Sequence, residues 1–313
     1  MQKAKVESRI KVYYELTKPK IWYLLVFTAF ASAITASNIY SIEISPATWA
    51  LMLFGVAAGS AAANTLTNYH DRDIDGIMER TKGRPIPSGR IAPEKARDFG
   101  LVLVGISLAC AFAISYTTSF WQGILAGSFM AFGLADNIFV YSYLLKRRSW
   151  TNIILGGFSG GAPAMIGYVI VTTQGLWDLG LVMAALVFVW IPMHIWALTL
   201  HFRDDYNKVN VPMLTATRSE GTAARIIAGT TLMMVLFSIV PFFLTHEDGT
   251  SVMGQVYLYT AIASGILMIV LSGWVIKKPT ERSSWVLFKF SSPYLAVLFI
   301  ALMVDSARVF GIN

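Results

Sequence analysis

Apolar residues run through this chain in blocks about as long as a bilayer is thick, and short polar stretches separate them. A membrane-crossing helix needs about 20 mostly apolar residues. Nine blocks reach that length: 21–40, 46–70, 98–117, 120–144, 151–172, 178–201, 222–244, 254–276 and 287–309. The pattern predicts an all-α fold, a bundle of nine transmembrane helices around a central cavity. Pro163, Pro192 and Pro241 fall inside blocks, where neighbouring helices can satisfy the backbone groups a proline frees. Gly156 with Gly160, and Gly157 with Gly161, are one helical turn apart in the fifth block. They predict close helix packing there.

Composition agrees. The chain is 55% hydrophobic and only 14% charged, with a mean hydropathy of +0.58. A soluble protein carries about a quarter charged residues, so this is read as an integral membrane protein. The single cysteine, Cys110, allows no intrachain disulfide and no cysteine metal site. The first twenty residues are polar and basic, and no removable signal peptide is read in them. The expectation is one transmembrane domain over 1–313, with 1–20 as a cytoplasmic segment.

Charge assigns sides. Segments 1–20, 71–97, 145–150, 202–221 with the start of the seventh block, and 277–289 would share one side of a nine-span protein. They hold 6, 7, 3, 4 and 4 Lys and Arg, leaving only Arg308 of the 25 in the chain. The connections near 41–45, 118–119, 173–177 and 245–253 hold none. Lys and Arg mark cytoplasmic loops. The expected topology is a multi-pass protein of the cell membrane, N-terminus cytoplasmic and C-terminus outside. Topology then accounts for the net charge of +7, and no nucleic-acid partner is needed.

The stretch from Asn64 to Arg90, NTLTNYHDRDIDGIMERTKGRPIPSGR, carries the candidate chemistry. Asn64, Asn68, Asp71 and Asp75 are spaced by four, three and four, which puts them on one helical face. Carboxylates at the end of a span are costly to leave unpaired. Two of them one turn apart, with an amide oxygen behind, suit Mg2+. Arg80, Lys82, Arg84 and Arg90 follow. Acids for a divalent cation and then bases for an anion suit a magnesium diphosphate; the plainer alternative is a solvated acidic helix end before a charged loop. Asp73 points off the Asp71/Asp75 face and is expected to pair with a base. A second acidic stretch, HFRDDYNKVNVPML, follows the sixth block on the same side, and its Asp205 lies 134 residues after Asp71. Acids at matching places in two halves suggest a site between them.

Other polar residues within spans are weighed singly. His194 and His201 are seven residues apart and share a face of the sixth block; each is a functional candidate or a hydrogen-bonded structural histidine. His70 adjoins the first acid motif, and His246 lies in an outer connection. Asp136 and Asn137 lie within the fourth block, where a local helix–helix hydrogen bond is the favoured reading. Tyr141, Tyr143 and Trp150 are read as interfacial belt or as tunnel lining.

The chain resembles the UbiA superfamily of intramembrane prenyltransferases, and within it the protoheme IX farnesyltransferase (haem O synthase) branch. The marks are LTKPK at 16–20, TNYHDRDIDGIMERTKGRPIPSGRI at 67–91, LLKRRSWTNIILGGFSGGAPAMIGY at 144–168 and WIPMHIWALTLHFRDDYNKVNVPML at 190–214. There are departures. Thr67 stands where the superfamily often has Asn four residues before the first Asp, Val209 stands where a second acid often follows Asp205, and Thr215 follows PML where the branch usually has Pro.

The resemblance implies Mg2+-dependent farnesyl transfer from farnesyl diphosphate to a vinyl group of haem B. Asn68, Asp71 and Asp75 would hold Mg2+, and Asp205 with Asp204 a second ion or the orientation of the first. Asp71, Asp75 and Asp205 would be the catalytic acids. Arg80, Lys82, Arg84 and the Lys146-Arg147-Arg148 cluster would grip the diphosphate. His194 and His201 would stand beside the haem. Another acceptor on the same fold (an aromatic acid, a quinone precursor or a glycerol-phosphate lipid) and a secondary transporter are the alternatives. The expected partners are the two substrates and the lipid bilayer, with a homo-oligomer or a partner enzyme of haem biosynthesis left open.

Overall fold

The computed structural model describes residues 8–245 and 249–309, the last two by their backbone alone. Residues 1–7, His246 and the Arg308 side chain lie outside that description. A short helix, α1 (Arg9–Leu16), ends at a left-handed turn on Lys18, φ 50°. Pro19 then opens α2 (Pro19–Tyr40). Proline suits a first helical turn because its fixed φ is already helical and its missing N–H has no partner to lose there. The same device opens α3 (Pro46–His70), where Ser45 also accepts from the Thr48 amide. The next helices are α4 (Arg72–Ile77) and α5 (Pro93–Ala113). A capping box of Ser119 and Gln122 starts α6 (Phe120–Ala135), which widens into a π-helical stretch over Asp136–Leu145.

The fifth apolar block differs from the others. It holds two short helices, α7 (Asn152–Leu155) and α8 (Ala162–Val169), joined by a tight turn over Phe158–Gly160. Glycine costs about 1 kcal/mol relative to alanine in a helix interior. Four glycines between 156 and 161 therefore break the span, and Pro163 restarts it in the first turn of α8. Then come α9 (Leu181–His201), α10 (Arg203–Lys208), α11 (Leu214–Thr217), α12 (Glu220–Phe237), α13 (Gln255–Lys277) and α14 (Glu281–Val309). Among the described residues, eight helical stretches are long and apolar enough to cross a membrane. With the broken segment they match the nine predicted blocks.

α2 packs against α3, α8 and α14, and α3 lies along α5. α9 packs against α12 and α14, and α13 lies between those two. At the α2–α8 crossing a Cβ on Gly167 would sit 2.0 Å from the Ala29 carbonyl oxygen. The two backbones touch there, which only glycine permits. Ser32 Oγ donates to the Ala164 carbonyl at 2.7 Å in the same crossing. The expected close packing of the glycine-rich block is also present: a Cβ on Gly161 would meet the Ala184 carbonyl at 2.9 Å.

Charges inside spans have partners, as low-dielectric burial requires. Asp136 accepts from the Ser159 amide at 2.8 Å, the helix–helix bond the sequence favoured. Asp305 on α14 accepts from the Tyr257 amide at 3.0 Å and so caps the first turn of α13. Tyr116, Trp121, Trp177, Phe243 and Tyr259 stay exposed at one end of the bundle, as an interfacial aromatic belt does. At the other end α1 folds over the loop after α4. Val12, Leu16, Ile86, Ile91 and Ala96 form a small core of their own there. Arg90 ties it to Glu15 at 2.7 Å. That capped end holds the acid motifs.

Candidate active site

α3 stops at His70, and Asp71 takes up the change of direction into α4 at φ −88°, ψ 4°. Asn68, Asp71 and Asp75 are all buried, between 2% and 3% exposed. Buried carboxylates persist as charges only with partners, and two bases supply them. Lys146, just past the π-helical stretch, donates to Asp71 Oδ2. Arg84 donates to Asp75 Oδ2 at 2.6 Å and to Asn68 Oδ1 at 3.3 Å. The Asn68 amide nitrogen donates to the Leu16 carbonyl at 3.0 Å, which fixes its oxygen toward Arg84. Thr81 donates to the Asp75 carbonyl at 2.9 Å and holds the turn beneath. Asn64 is not part of this cluster. Its amide bonds back to the Ser60 carbonyl of its own helix.

Arg147 takes Asp73, with two hydrogen bonds of 2.8 and 2.6 Å. That pairing holds the Asp73 carboxyl down at about 2. A base does partner Asp73, and it comes from 74 residues away in sequence. Arg147 also lies 3.9 Å from Asp71 Oδ1 and donates to the His70 carbonyl at 3.0 Å. Arg148 is exposed and makes no ion pair among the described residues. Lys82 is exposed and pairs with Glu79 at 2.5 Å. Neither reaches the buried acids.

Asp205 is buried, and both its oxygens are engaged. Oδ1 accepts from the Glu79 amide at 3.3 Å, and Oδ2 from the Arg80 amide at 3.2 Å. Lys208 stands 3.7 Å away. Arg80 reaches back to the Tyr206 hydroxyl at 3.4 Å and lies over the Phe202 ring at 5.0 Å. The second acid motif thus grips the basic loop of the first. Asp204 is exposed on the rim of a cleft of about 420 Å³ that Arg80, His201, Phe202 and Glu281 also line. Asp204 and Asp205 do not join Asp71 and Asp75 in a common ligand set: the described residues contain no group of three His, Cys, Asp or Glu arranged to hold a metal ion.

The first motif still suits Mg2+. Asp71 Oδ1 is buried and has no hydrogen-bond partner among the described residues. With Asp75 and Asn68 it offers hard oxygen ligands, the set Mg2+ takes when it keeps the rest of its shell as water and phosphate.

His194 and His201 turn toward α14. His194 Nδ1 is 2.6 Å from Ser291 Oγ, and its ring stacks on Trp190. His201 Nδ1 meets the Glu281 carbonyl at 2.9 Å, and its ring stacks on Trp285. They share a face, as the spacing predicts, and that face packs on the last span.

Lys18 is the residue the sequence reading missed. It sits half-buried in its left-handed turn beside Arg84, Lys146, Asp75 and Asp71. Burial, with the Arg84 and Lys146 cations nearby, pushes its amine well below the ordinary lysine value. Its only signal in the sequence is its place before Pro19 in LTKPK.

An apolar bundle with buried acids and bases knit together at one end is the architecture of an intramembrane prenyltransferase. Residues 24–302 match the UbiA prenyltransferase family, and the chain belongs to that family. It is 68% identical over 306 residues to protoheme IX farnesyltransferase 2 of Cenarchaeum symbiosum, a match covering 98% of this chain and 99% of that one. It is 41% identical to protoheme IX farnesyltransferase of Thermoplasma volcanium, over 95% and 98% of the two chains. A UbiA homolog from Archaeoglobus fulgidus bound to DMAPP and Mg2+ shares the fold at a TM-score of 0.67 and 15% identity, covering 95% and 99%. A structure from work on digeranylgeranylglyceryl phosphate synthase gives 0.73 at 19% identity, covering 96% and 99%.

Proposed function

We propose that this chain transfers the farnesyl group of farnesyl diphosphate to a vinyl group of protohaem IX, with Mg2+, to give haem O. The observation that carries the diphosphate half is the buried set Asn68, Asp71 and Asp75, interleaved with Arg84 and Lys146 at the wet end of an apolar bundle. The names of the relatives support the acceptor.

Asn68, Asp71 and Asp75 would hold the metal. When bound, it neutralises charge on the departing diphosphate. Arg84, Lys146 and Arg80 are fixed cations at the same end, and they favour a leaving group whose negative charge grows. The C1–O bond of the farnesyl group breaks, and its electron pair leaves with the diphosphate. The vinyl π pair then forms the new bond to C1. The carbocation left beside the macrocycle takes up water, whose proton passes to solvent, and a hydroxyl remains. The apolar spans hold the farnesyl tail and the porphyrin away from bulk water. His194, His201 and the α14 rings beside them form the acceptor side. Asp205 acts by holding the Glu79–Arg80 backbone. The site end faces the cytoplasm of a cell membrane, since all but one of the 25 Lys and Arg lie on that side.

The test is an incubation of purified protein with haem B, farnesyl diphosphate and Mg2+, followed by mass spectrometry of the haem. A product heavier by one farnesyl group and one hydroxyl is expected. Unchanged haem alongside prenylation of another acceptor would overturn the reading.

A further inference from the structure

We infer that α1 is an interfacial helix whose exposed face docks into the membrane leaflet at the capped end and binds its anionic headgroups. The helix has two apolar sides. Val12 and Leu16, one turn apart, are buried in the small core of the cap. Ile10 and Tyr14, also one turn apart, are 81% and 46% exposed. Two positions along a helix turn the side chain by about 200°, so the pairs lie on opposite sides.

Single exposed apolar residues are ordinary; the level of this pair is what points to lipid. The Tyr14 hydroxyl is 2.7 Å from the hydroxyl of Tyr23, near the start of α2, a helix long and apolar enough to span. Four residues into a helix is about 6 Å along its axis. α1 therefore folds back beside the first turns of the span, where water gives way to lipid. Tyr23 is itself half exposed, and its ring meets Trp22 at 4.1 Å. Tyrosine and tryptophan gather at that level of a bilayer, and a helix lying in the interface sinks its apolar face by about 5–10 Å.

Charge selects the headgroup. Arg9 and Lys11 on α1 and Lys20 in the first turn of α2 are exposed. The one acid of α1, Glu15, is held by Arg90 at 2.7 Å. An apolar face bordered by bases fits an anionic leaflet. The far end of α1 carries this contact to the buried acids. The Leu16 carbonyl accepts the Asn68 amide at 3.0 Å, and Asn68 Oδ1 meets Arg84 at 3.3 Å. A leaflet that holds α1 down thereby steadies Asn68.

The experiment uses the full chain in nanodiscs, made either of phosphatidylcholine alone or of equal parts phosphatidylcholine and phosphatidylglycerol. With Cys110 replaced by Ser, a nitroxide is attached through Ile10→Cys, and in a second sample through Lys82→Cys. Collision with dissolved oxygen is compared with collision with a water-soluble nickel chelate. The label at 10 is expected to favour oxygen, at a depth of about 5–10 Å, and the label at 82 to favour nickel. Equal nickel access at both positions overturns the inference. So does a label at 10 shielded from both reagents, or coupled to the label of a second chain, since a protein would then cover the face. The headgroup is tested on the wild-type chain by hydrogen exchange at 10–16. Exchange should be slower with phosphatidylglycerol present, and Arg9→Gln with Lys20→Gln should erase the difference, each base near an anionic surface contributing about fivefold. Equal exchange of the wild type in the two lipids overturns the binding of anionic headgroups and needs no variant to fold.

Discussion

Arg84 reaches back nine residues to Asp75, placing its guanidinium 2.6 Å from the buried Oδ2. The same nitrogen lies 3.3 Å from Asn68 Oδ1. One cation therefore joins the last turn of α3 to α4, and under the proposed function it would face the diphosphate. Arg84→Lys keeps the charge and loses the planar fork. It should lower kcat/KM for farnesyl diphosphate by about 100-fold, the size of effect seen when one fixed donor to a developing anion is removed. Steady-state kinetics at saturating haem check this; a change under about threefold would remove Arg84 from the anion site.

Asp205 gives a prediction of a different kind. Its carboxylate accepts two backbone amides of the other motif, so its loss should loosen the loop more than it weakens metal binding. In Asp205→Ala, hydrogen exchange at 79–84 should speed up. Mn2+ bound per chain, with a non-reactive farnesyl diphosphate analogue present, should be unchanged. A fall of one metal ion per chain with unaltered exchange would make Asp205 a ligand instead.

The α2–α8 crossing sets a limit on size. Gly167→Ala drives a Cβ to 2.0 Å from the Ala29 carbonyl oxygen, a backbone atom and not the end of a flexible side chain. A cost of roughly 3 kcal/mol is expected, at the upper end for overpacking a tight core. It should appear as a lower midpoint of thermal unfolding in detergent. Gly273→Ala is the control, since nothing lies within 4 Å of its added Cβ. It should be neutral or stabilising by up to about 1 kcal/mol, the helix preference of alanine over glycine.

The spans were legible because a bilayer imposes a length that hydropathy records directly. The break at 156–161 was not, since an apolar count scores glycine and alanine alike while the backbone does not. Asn68, Asp71 and Asp75 were legible from helical spacing. Asn64 fell out of the set, and Asp71 at φ −88° shows where the regular face turns away. Lys18 was hidden for a physical reason. A lysine before a proline near a span looks like a topology charge, and only the fold brings residue 18 within electrostatic reach of 84 and 146. Spacing put His194 and His201 on one face, but the partner of that face, α14, is set by packing that no local pattern encodes.

Topology can be read at Lys82, which is exposed and makes only a surface pair with Glu79. Exposed pairs contribute about 1 kcal/mol or less, so Lys82→Cys should fold normally. With Cys110 replaced by Ser, an impermeant maleimide should leave Cys at position 82 unlabelled in intact cells and label it after permeabilisation. Labelling of intact cells would put the acid motifs outside.

The central claim is that the acids at the end of α3 hold the diphosphate while the histidine face of α9 holds the haem. It is tested most directly by measuring both equilibrium affinities in two variants, Asp71→Ala and His201→Gln. Asp71→Ala should weaken farnesyl diphosphate binding in Mg2+ by about tenfold or more, the scale of losing one metal ligand or its support, and leave haem B affinity within about twofold. His201→Gln should do the reverse. Equal losses of both ligands in each variant, or unchanged haem affinity in His201→Gln, would contradict this division between the two ends of the site.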